Sequence, residues 1–336
     1  MNITIEDIAN IAQVSKSTVS RVLNKSESVS KVTKKKVMKV VKDLNYRPNQ
    51  VARSLATQQT CLIGIIVPDI RNPFYSQASW FAEKKLIEYG YVPVIFNTDN
   101  NSEIEKKSLE VLKDRNVDGI ISIGGEEDLT NIINFNIKES IPIILLDRKA
   151  ENYNIPSITV DNIYGGEIVT EYLIESGHTK IIFATSDFTQ AERQRKQGFI
   201  KAYLKRRLMP NEDYIFICSE EQWKSASCIQ NLLNFINKSD TSFTAIFASN
   251  DFKAFHILKE LKTNGLKVPG NISLVGYDDI NFSTMVNPKL TTVSQPIEKM
   301  VSLGANMLEK MIKGDNNIEN KVIRPRLVKR ESVKNI

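Results

Sequence analysis

Several apolar runs in this 336-residue chain stop at polar or aromatic residues of a kind that can hold a small hydroxylated molecule. The run "LIGIIVP" leads into "DIRNPFY", which supplies Asn72, Phe74 and Tyr75. "IPIILL" ends in Asp147 and Arg148, and "ERQRKQGF" places Arg195 in the first turns of a helix. "TAIFAS" runs into Asn250 and Asp251, "VGY" into Asp278, and "TTVS" into Gln295. Aromatic faces stack on the C–H faces of a sugar, while fixed carboxylates, amides and guanidinium groups take vicinal hydroxyls in pairs. Each residue alone has a plainer use: Asn250 as a helix cap, Asp147–Arg148 as a surface ion pair, Phe74 as core. The same chemistry at six strand ends makes a stronger pattern than any single residue.

A second group lies near the start. "SKSTVSRVLN", residues 15–24, holds five Ser, Thr or Asn residues and two cations among ten, with only three apolar positions. Hydroxyls and cations together suit the phosphate oxygens and base edges of nucleic acid. The charge distribution agrees. Residues 1–60 carry 11 Lys/Arg and 4 Asp/Glu, a net of +7; the rest of the chain carries the remaining 34 and 35, a net of −1. A basic head on a near-neutral body points to a nucleic-acid partner for the head alone.

Local signals give the head three short helices. Thr4 and Asp7 have capping-box spacing ahead of Ile5, Ile8, Ala9 and Ala12. Ser15 caps a second helix, with Val19, Val22 and Leu23 on one face and Lys16, Ser17, Ser20 and Arg21 on the other. A third starts near Ser30, turns Val37, Val40, Val41 and Leu44 inward, and ends before Pro48. This is a helix-turn-helix arrangement whose second helix enters the major groove; a small helical bundle with a solvated basic face is the plainer alternative.

From residue 61 apolar runs alternate with amphipathic helices: LIGIIVP, YVPVIFNT, GIISIGG, IPIILLD, SITV, KIIFAT, YIFIC, TAIFAS and ISLVGYD. Continuous apolar strands separated by helices mean parallel sheets covered on both faces, with ligands at the carboxyl ends of the strands. Two such sheets fit, breaking near Val160–Asp161. The expected α/β chain therefore has a head over 1–47 and a hinge over 48–60. Two doubly wound subdomains follow, 61–160 with 291–318 and 161–290 with 319–336. No apolar run has the ~18 residues of a membrane span, and "MNITIEDIAN" does not read as a secretory signal, so a cytoplasmic location is expected. Three cysteines (Cys61, Cys218, Cys228) without C-x-x-C spacing argue against a disulfide framework or a zinc site. There is no phosphate loop, no G-x-S-x-G elbow, and only His178 and His256 as imidazoles, so neither a catalytic set nor a cofactor is expected. His178, after a helix-ending Gly, reads as structural.

The head "TIEDIANIAQVSKSTVSRVLN…YRPNQVARSLAT" resembles that of the lactose-repressor/galactose-repressor (LacI/GalR) family of transcription regulators. The resemblance extends along the whole chain, and the body is similar to that family's periplasmic-binding-protein-like fold. It implies that Lys16, Ser17 and Arg21 read bases and that Thr4, Thr18, Asn24, Tyr46 and Asn49 sit near phosphates. It further implies a hinge, "PNQVARSLATQQT", that folds on DNA as a dimer, with Ala52 and Leu55 at the duplex and Leu55 as a minor-groove wedge. Gln13 stands where the family usually has Gly, which costs roughly 1 kcal/mol if the turn keeps φ > 0. The motifs NPFY, LDR, R-x-x-G-F, SND, GYDDI and SQP resemble those of ribose-type repressors and ribose-binding proteins. By that resemblance Asn72, Asp147, Arg148, Arg195, Asn250, Asp278 and Gln295 hydrogen-bond a pentose, Phe74 and Tyr75 sandwich it, and Trp223 adds a further ring. The implied protein is a homodimeric repressor of sugar-use genes, bound to a palindromic double-stranded operator and released by ribose or a similar monosaccharide. The alternatives are a catabolite-control regulator of the same family, activated by a phosphorylated carrier protein, and, remotely, a sugar-modifying enzyme with a DNA-binding head. The end "VIRPRLVKRESVKNI" has no heptad helix, which favours a dimer over a tetramer.

Overall fold

The computed structural model describes residues 3–23, 28–46, 59–125, 128–209, 212–219, 222–238, 242–315 and 317–336. The chain divides into a head, Met1–Thr60, and a body, Cys61–Ile336.

The head contains α1 (Ile5–Ile11), α2 (Lys16–Leu23) and α3 (Lys31–Asp43). Each starts where a short polar side chain satisfies an orphan backbone N–H. Thr4 and Asp7 close a capping box, Ser15 Oγ accepts from the Thr18 N–H (3.1 Å), and Ser30 Oγ from the Thr33 N–H (3.2 Å). The connection after α1 needs a left-handed residue, and Gln13 supplies it at φ +49°. Asn45, at φ +47°, likewise ends α3 and lets the Tyr46 N–H reach the Val41 carbonyl (2.9 Å). Ile8, Ala9, Ala12, Val19, Val22 and Val37 form the buried centre, which is the apolar stripe read from the sequence.

In the body, β1 (Leu62–Val67), β2 (Val92–Asn97), β3 (Gly119–Ile123), β4 (Ile143–Leu146) and β5 (Ser157–Val160) build a parallel sheet. Its order is β2-β1-β3-β4-β5, with β11 (Lys321–Ile323) beyond β5. The helices between these strands are α4 (Pro73–Glu88), α5 (Ser102–Asp114) and α6 (Thr130–Lys138). A second parallel sheet runs β7 (Ile215–Ile217), β6 (Ile181–Thr185), β8 (Ala245–Ala248), β9 (Ser273–Val275). It is served by α7 (Asn162–Glu175), α8 (Gln190–Lys205), α9 (Ala226–Lys238) and α10 (Asp251–Thr263). Finally β10 (Thr292–Ser294) pairs antiparallel with β12 (Arg326–Val328), and α11 (Ile297–Ile312) packs on the first sheet through Met300, Val301, Ala305 and Leu308.

The pairing moves two boundaries from their expected positions. Residues 291–294 bridge to Val275 and Asp278 and pack Val293 with the second sheet, although the α11 that follows returns to the first. Lys321–Ile323 lies beside β5 in the first sheet, not with the second subdomain, because Ile323 buries against Ile158 and Val160. The cysteines also depart from expectation: Cys218 and Cys228 are joined, with Cα atoms 6.2 Å apart, since the end of β7 and the start of α9 both turn into the second core. His178 is buried between the Thr244 hydroxyl and the Lys334 carbonyl, each at 2.9 Å. No helix among the described residues is long and apolar enough to cross a membrane.

Helices α7 and α8 cross so closely that glycine is required at the contact. A Cβ at Gly166 would lie 2.1 Å from the Arg195 carbonyl, and one at Gly198 would lie 2.0 Å from the Ile163 carbonyl. That crossing fixes the backbone of Arg195.

Candidate nucleic-acid interface and effector cleft

On the head, α2 presents its polar face outward: Lys16, Ser17 and Arg21 are exposed, while Val19 and Val22 are buried. Thr18 is half-buried and shares its hydroxyl with Ser15 (2.8 Å), which also meets Ser17 (2.8 Å). Lys16 Nζ pairs with Glu6 at 2.8 Å, a solvated bridge that costs little to break. Thr4 is exposed, its hydroxyl donating to Asp7 Oδ2 (2.8 Å), and Tyr46 is half-buried against the head core. Asn24, Asn49, Ala52 and Leu55 lie outside the described residues.

On the body, a cleft opens between the two sheets at the carboxyl ends of their strands. Asn72, Phe74, Tyr75, Asp147, Arg195, Asn250, Asp278 and Gln295 all line it. Asn72 and Asn250 also cap helices: Asn72 Oδ1 accepts from the Phe74 N–H (3.0 Å) and Asn250 Oδ1 from the Lys253 N–H (2.8 Å). Their cap bonds use the carbonyl oxygens, which aims each amide NH₂ elsewhere. Phe74 is almost fully buried and belongs to the first core while its edge meets Tyr75, ring centroids 5.2 Å apart.

Arg195 is the most constrained group in the cleft. Its Nε donates to Asn162 Oδ1 (2.9 Å), one terminal nitrogen donates to the Ser249 carbonyl (2.7 Å), and its plane lies over the Tyr277 ring at 3.8 Å. Burial opposes its charge, but Asp278 at 3.8 Å and the other anions around it hold its pKa above the usual guanidinium value. Asp278 accepts from Gln295 Nε2 at 2.7 Å; burial pushes its carboxyl well up, and Arg195 offsets part of that. Burial also pushes Asp147 up to about 6, with Arg195 pulling back. Two buried acceptors in this wall, Asp147 Oδ1 and Gln295 Oε1, have no hydrogen-bond partner. An unmade bond at such an atom costs on the order of 1–3 kcal/mol, so a ligand with donors is favoured there.

Two expected residues stand elsewhere. Arg148 does not line this cleft itself: it donates to Glu105 (3.1 Å) and Ser122 (2.8 Å) in the first subdomain and borders two adjoining pockets, one of them shared with the cleft residues Tyr75, Asp147 and Ala191. Asp147 and Arg148 follow one another where the chain turns at φ +58°, and their side chains part. Trp223 is 1% exposed and packs edge-on to Phe216 in the second core, behind Lys253, because so large an apolar ring gains more from full burial. The cleft instead takes aromatic area from Phe188 and Phe252. It also contains Glu192 and Lys253, an ion pair which the sequence reading missed. The available signals were that Glu192 sits three residues before Arg195 on one helix face and that Phe252 and Lys253 directly follow the Asn250 cap.

Residues 4–49 match the model of bacterial regulatory proteins of the lacI family, and residues 170–333 match that of a periplasmic binding protein-like domain. The transcriptional repressor PurR of Aliivibrio salmonicida is 32% identical to this chain over 98% of it and 98% of its own length. The chain belongs to the lacI family of bacterial regulatory proteins. The lac repressor dimer, solved on operator with the anti-inducer ONPF, aligns with 99% of this lacI-family chain and 100% of its own at TM-score 0.86 and 27% identity. A LacI family regulator from Enterococcus faecium, solved with bound ribose, covers 82% of this chain and 99% of its own at TM-score 0.71 and 27% identity. The lacI-family protein described here is thus a DNA-binding transcriptional repressor and not an enzyme, with a helix-turn-helix head on a body of two parallel-sheet subdomains.

Proposed function

We propose that this repressor binds a palindromic operator as a homodimer and lets go when a monosaccharide, ribose or a close pentose, fills the body cleft. The observation that carries the effector reading is the convergence of Asp147, Arg195, Asn250, Asp278 and Gln295 on one cleft with aromatic walls, including two buried acceptors that lack donors. A pentose offers several hydroxyl donors at fixed spacing and C–H faces for Phe74, Tyr75, Phe188 or Phe252. The regulator solved with bound ribose supports the choice of a pentose. In the head, exposed Lys16, Ser17 and Arg21 contact bases, with Thr4, Thr18 and Tyr46 toward the phosphates. Dimerisation is supported by apolar surface left uncovered on α4 and the edge strand β2: Trp80, Ile87, Val92 and Ile95 are all exposed.

Sugar acts only through unequal affinity for the operator-bound and released states, a coupling typically of about 1–3 kcal/mol. The test is operator binding by fluorescence anisotropy across a panel of pentoses and hexoses. Release by ribose or a close pentose, and not by hexoses, is expected. Operator affinity unmoved by every sugar would sink the reading.

A further inference from the structure

The cleft wall contains a buried ion pair that has no place among the effector contacts. Glu192 and Lys253 come from the first turns of α8 and α10, and both are almost completely buried. Glu192 Oε2 accepts from the Ser186 hydroxyl (2.6 Å) and the Phe188 N–H (3.2 Å). Its Oε1 accepts from the Ser249 hydroxyl (2.6 Å) and from Lys253 Nζ. Lys253 Nζ also meets the Ser186 hydroxyl at 3.0 Å and faces the Trp223 ring at 5.7 Å. One carboxylate therefore gathers the loop after β6, the end of β8 and the first turn of α10.

We infer that the Glu192–Lys253 pair is a positioning device, which holds Arg195, Phe188 and Asn250 in the geometry that binds the effector. The connections are direct. The Ser249 residue whose hydroxyl Glu192 holds gives its carbonyl to Arg195, at 2.7 Å. The Phe188 backbone hangs on Glu192, and the Lys253 N–H is the cap partner of Asn250. Glu192 already accepts four hydrogen bonds, so it acts through its neighbours and not by touching the sugar. Stability alone does not account for the pair. Replacing a buried ion pair with apolar residues of similar volume is often neutral for folding, whereas the charged pair fixes several donors in one arrangement. The inference rests on the effector reading above.

The test compares thermal unfolding with titration of the full chain by D-ribose and by whichever panel sugars release the operator. E192A alone strands a buried ammonium and K253M alone a buried carboxylate, so the informative variant is E192A/K253M. Truncation at Glu192 leaves a cavity and unpairs the Ser186, Phe188 and Ser249 donors, so its unfolding midpoint should fall. Effector Kd, read well below that midpoint, should weaken about tenfold or more as preorganisation is lost. E192Q/K253M keeps an oxygen for the Phe188 N–H and an amide for Ser249, and should recover most of that loss. Parent-like affinity in E192A/K253M overturns the inference. If that variant does not fold, S249A, which cuts only the hydroxyl link, decides: unchanged affinity overturns the inference and weakened affinity supports it. A parent that binds no sugar removes the effector reading and this inference together, whereas a sugar-binding parent with indifferent variants removes this inference alone.

Discussion

Asp147→Asn should stabilise the body above neutral pH and do little in acid. Asp147 Oδ1 is buried without a partner, and burial raises the carboxyl from 3.8 to about 6. At 1.36 kcal/mol per pH unit, holding that carboxylate ionised costs the folded state about 3 kcal/mol at most. The side chain is partly open to the cleft, and solvent there reduces the figure to about 1.5 kcal/mol. The folded pKa is the raised one, so the stabilising influence of the protonated group is complete below about pH 4 and lost as the pH climbs through about 6. Urea denaturation of the full chain at pH 4.5, 6, 7 and 8 measures this directly, because the amide in the variant cannot ionise. The variant should gain on the parent by about 1 kcal/mol or more across that range, with most of the gain by pH 7. A difference that does not change with pH would refute the account of Asp147 as a buried acid whose desolvation outweighs the attraction of Arg195.

Two further predictions concern the head. Arg21→Ala should cost about 1–3 kcal/mol on operator while leaving most of the salt-dependent binding to random DNA, and equal losses on both would remove Arg21 from base reading. Gln13→Gly should raise the stability of the head by roughly 0.5–1 kcal/mol, because φ +49° suits glycine; hydrogen exchange at Ile8 and Val19 reads the change, and unaltered protection there would show that the turn is not strained.

Much of this molecule was legible locally. The capping oxygens of Thr4, Ser15 and Ser30 act within three residues of themselves, so the helix starts of the head follow from sequence. The nine apolar runs became strands, continuously buried in the middle of each sheet and partly exposed at the edges β2 and β7, and Asn72, Asp147, Arg195, Asn250, Asp278 and Gln295 share a cleft because parallel strands bring their carboxyl ends together. Tertiary packing decided what those signals left open. Arg148 took the buried Glu105, 43 residues back, in preference to the cleft, and Trp223 took the core. Lys321–Ile323 joined the first sheet, a pairing across 163 residues from Ile158 that periodicity cannot express. Glu192 and Lys253, 61 residues apart, carry no local signal that they pair; α8 and α10 bring them inside, where burial compels them to do so. The sequence by itself determined, by local rules of strand and cap, that Asn72, Asp147, Arg195, Asn250, Asp278 and Gln295 stand at strand ends and helix starts. Only the folded chain put Phe188, Glu192, Phe252 and Lys253 beside them, sent Arg148 and Trp223 elsewhere and decided which charges face each other, since buried partners are chosen by proximity in space and by the cost of leaving a charge alone.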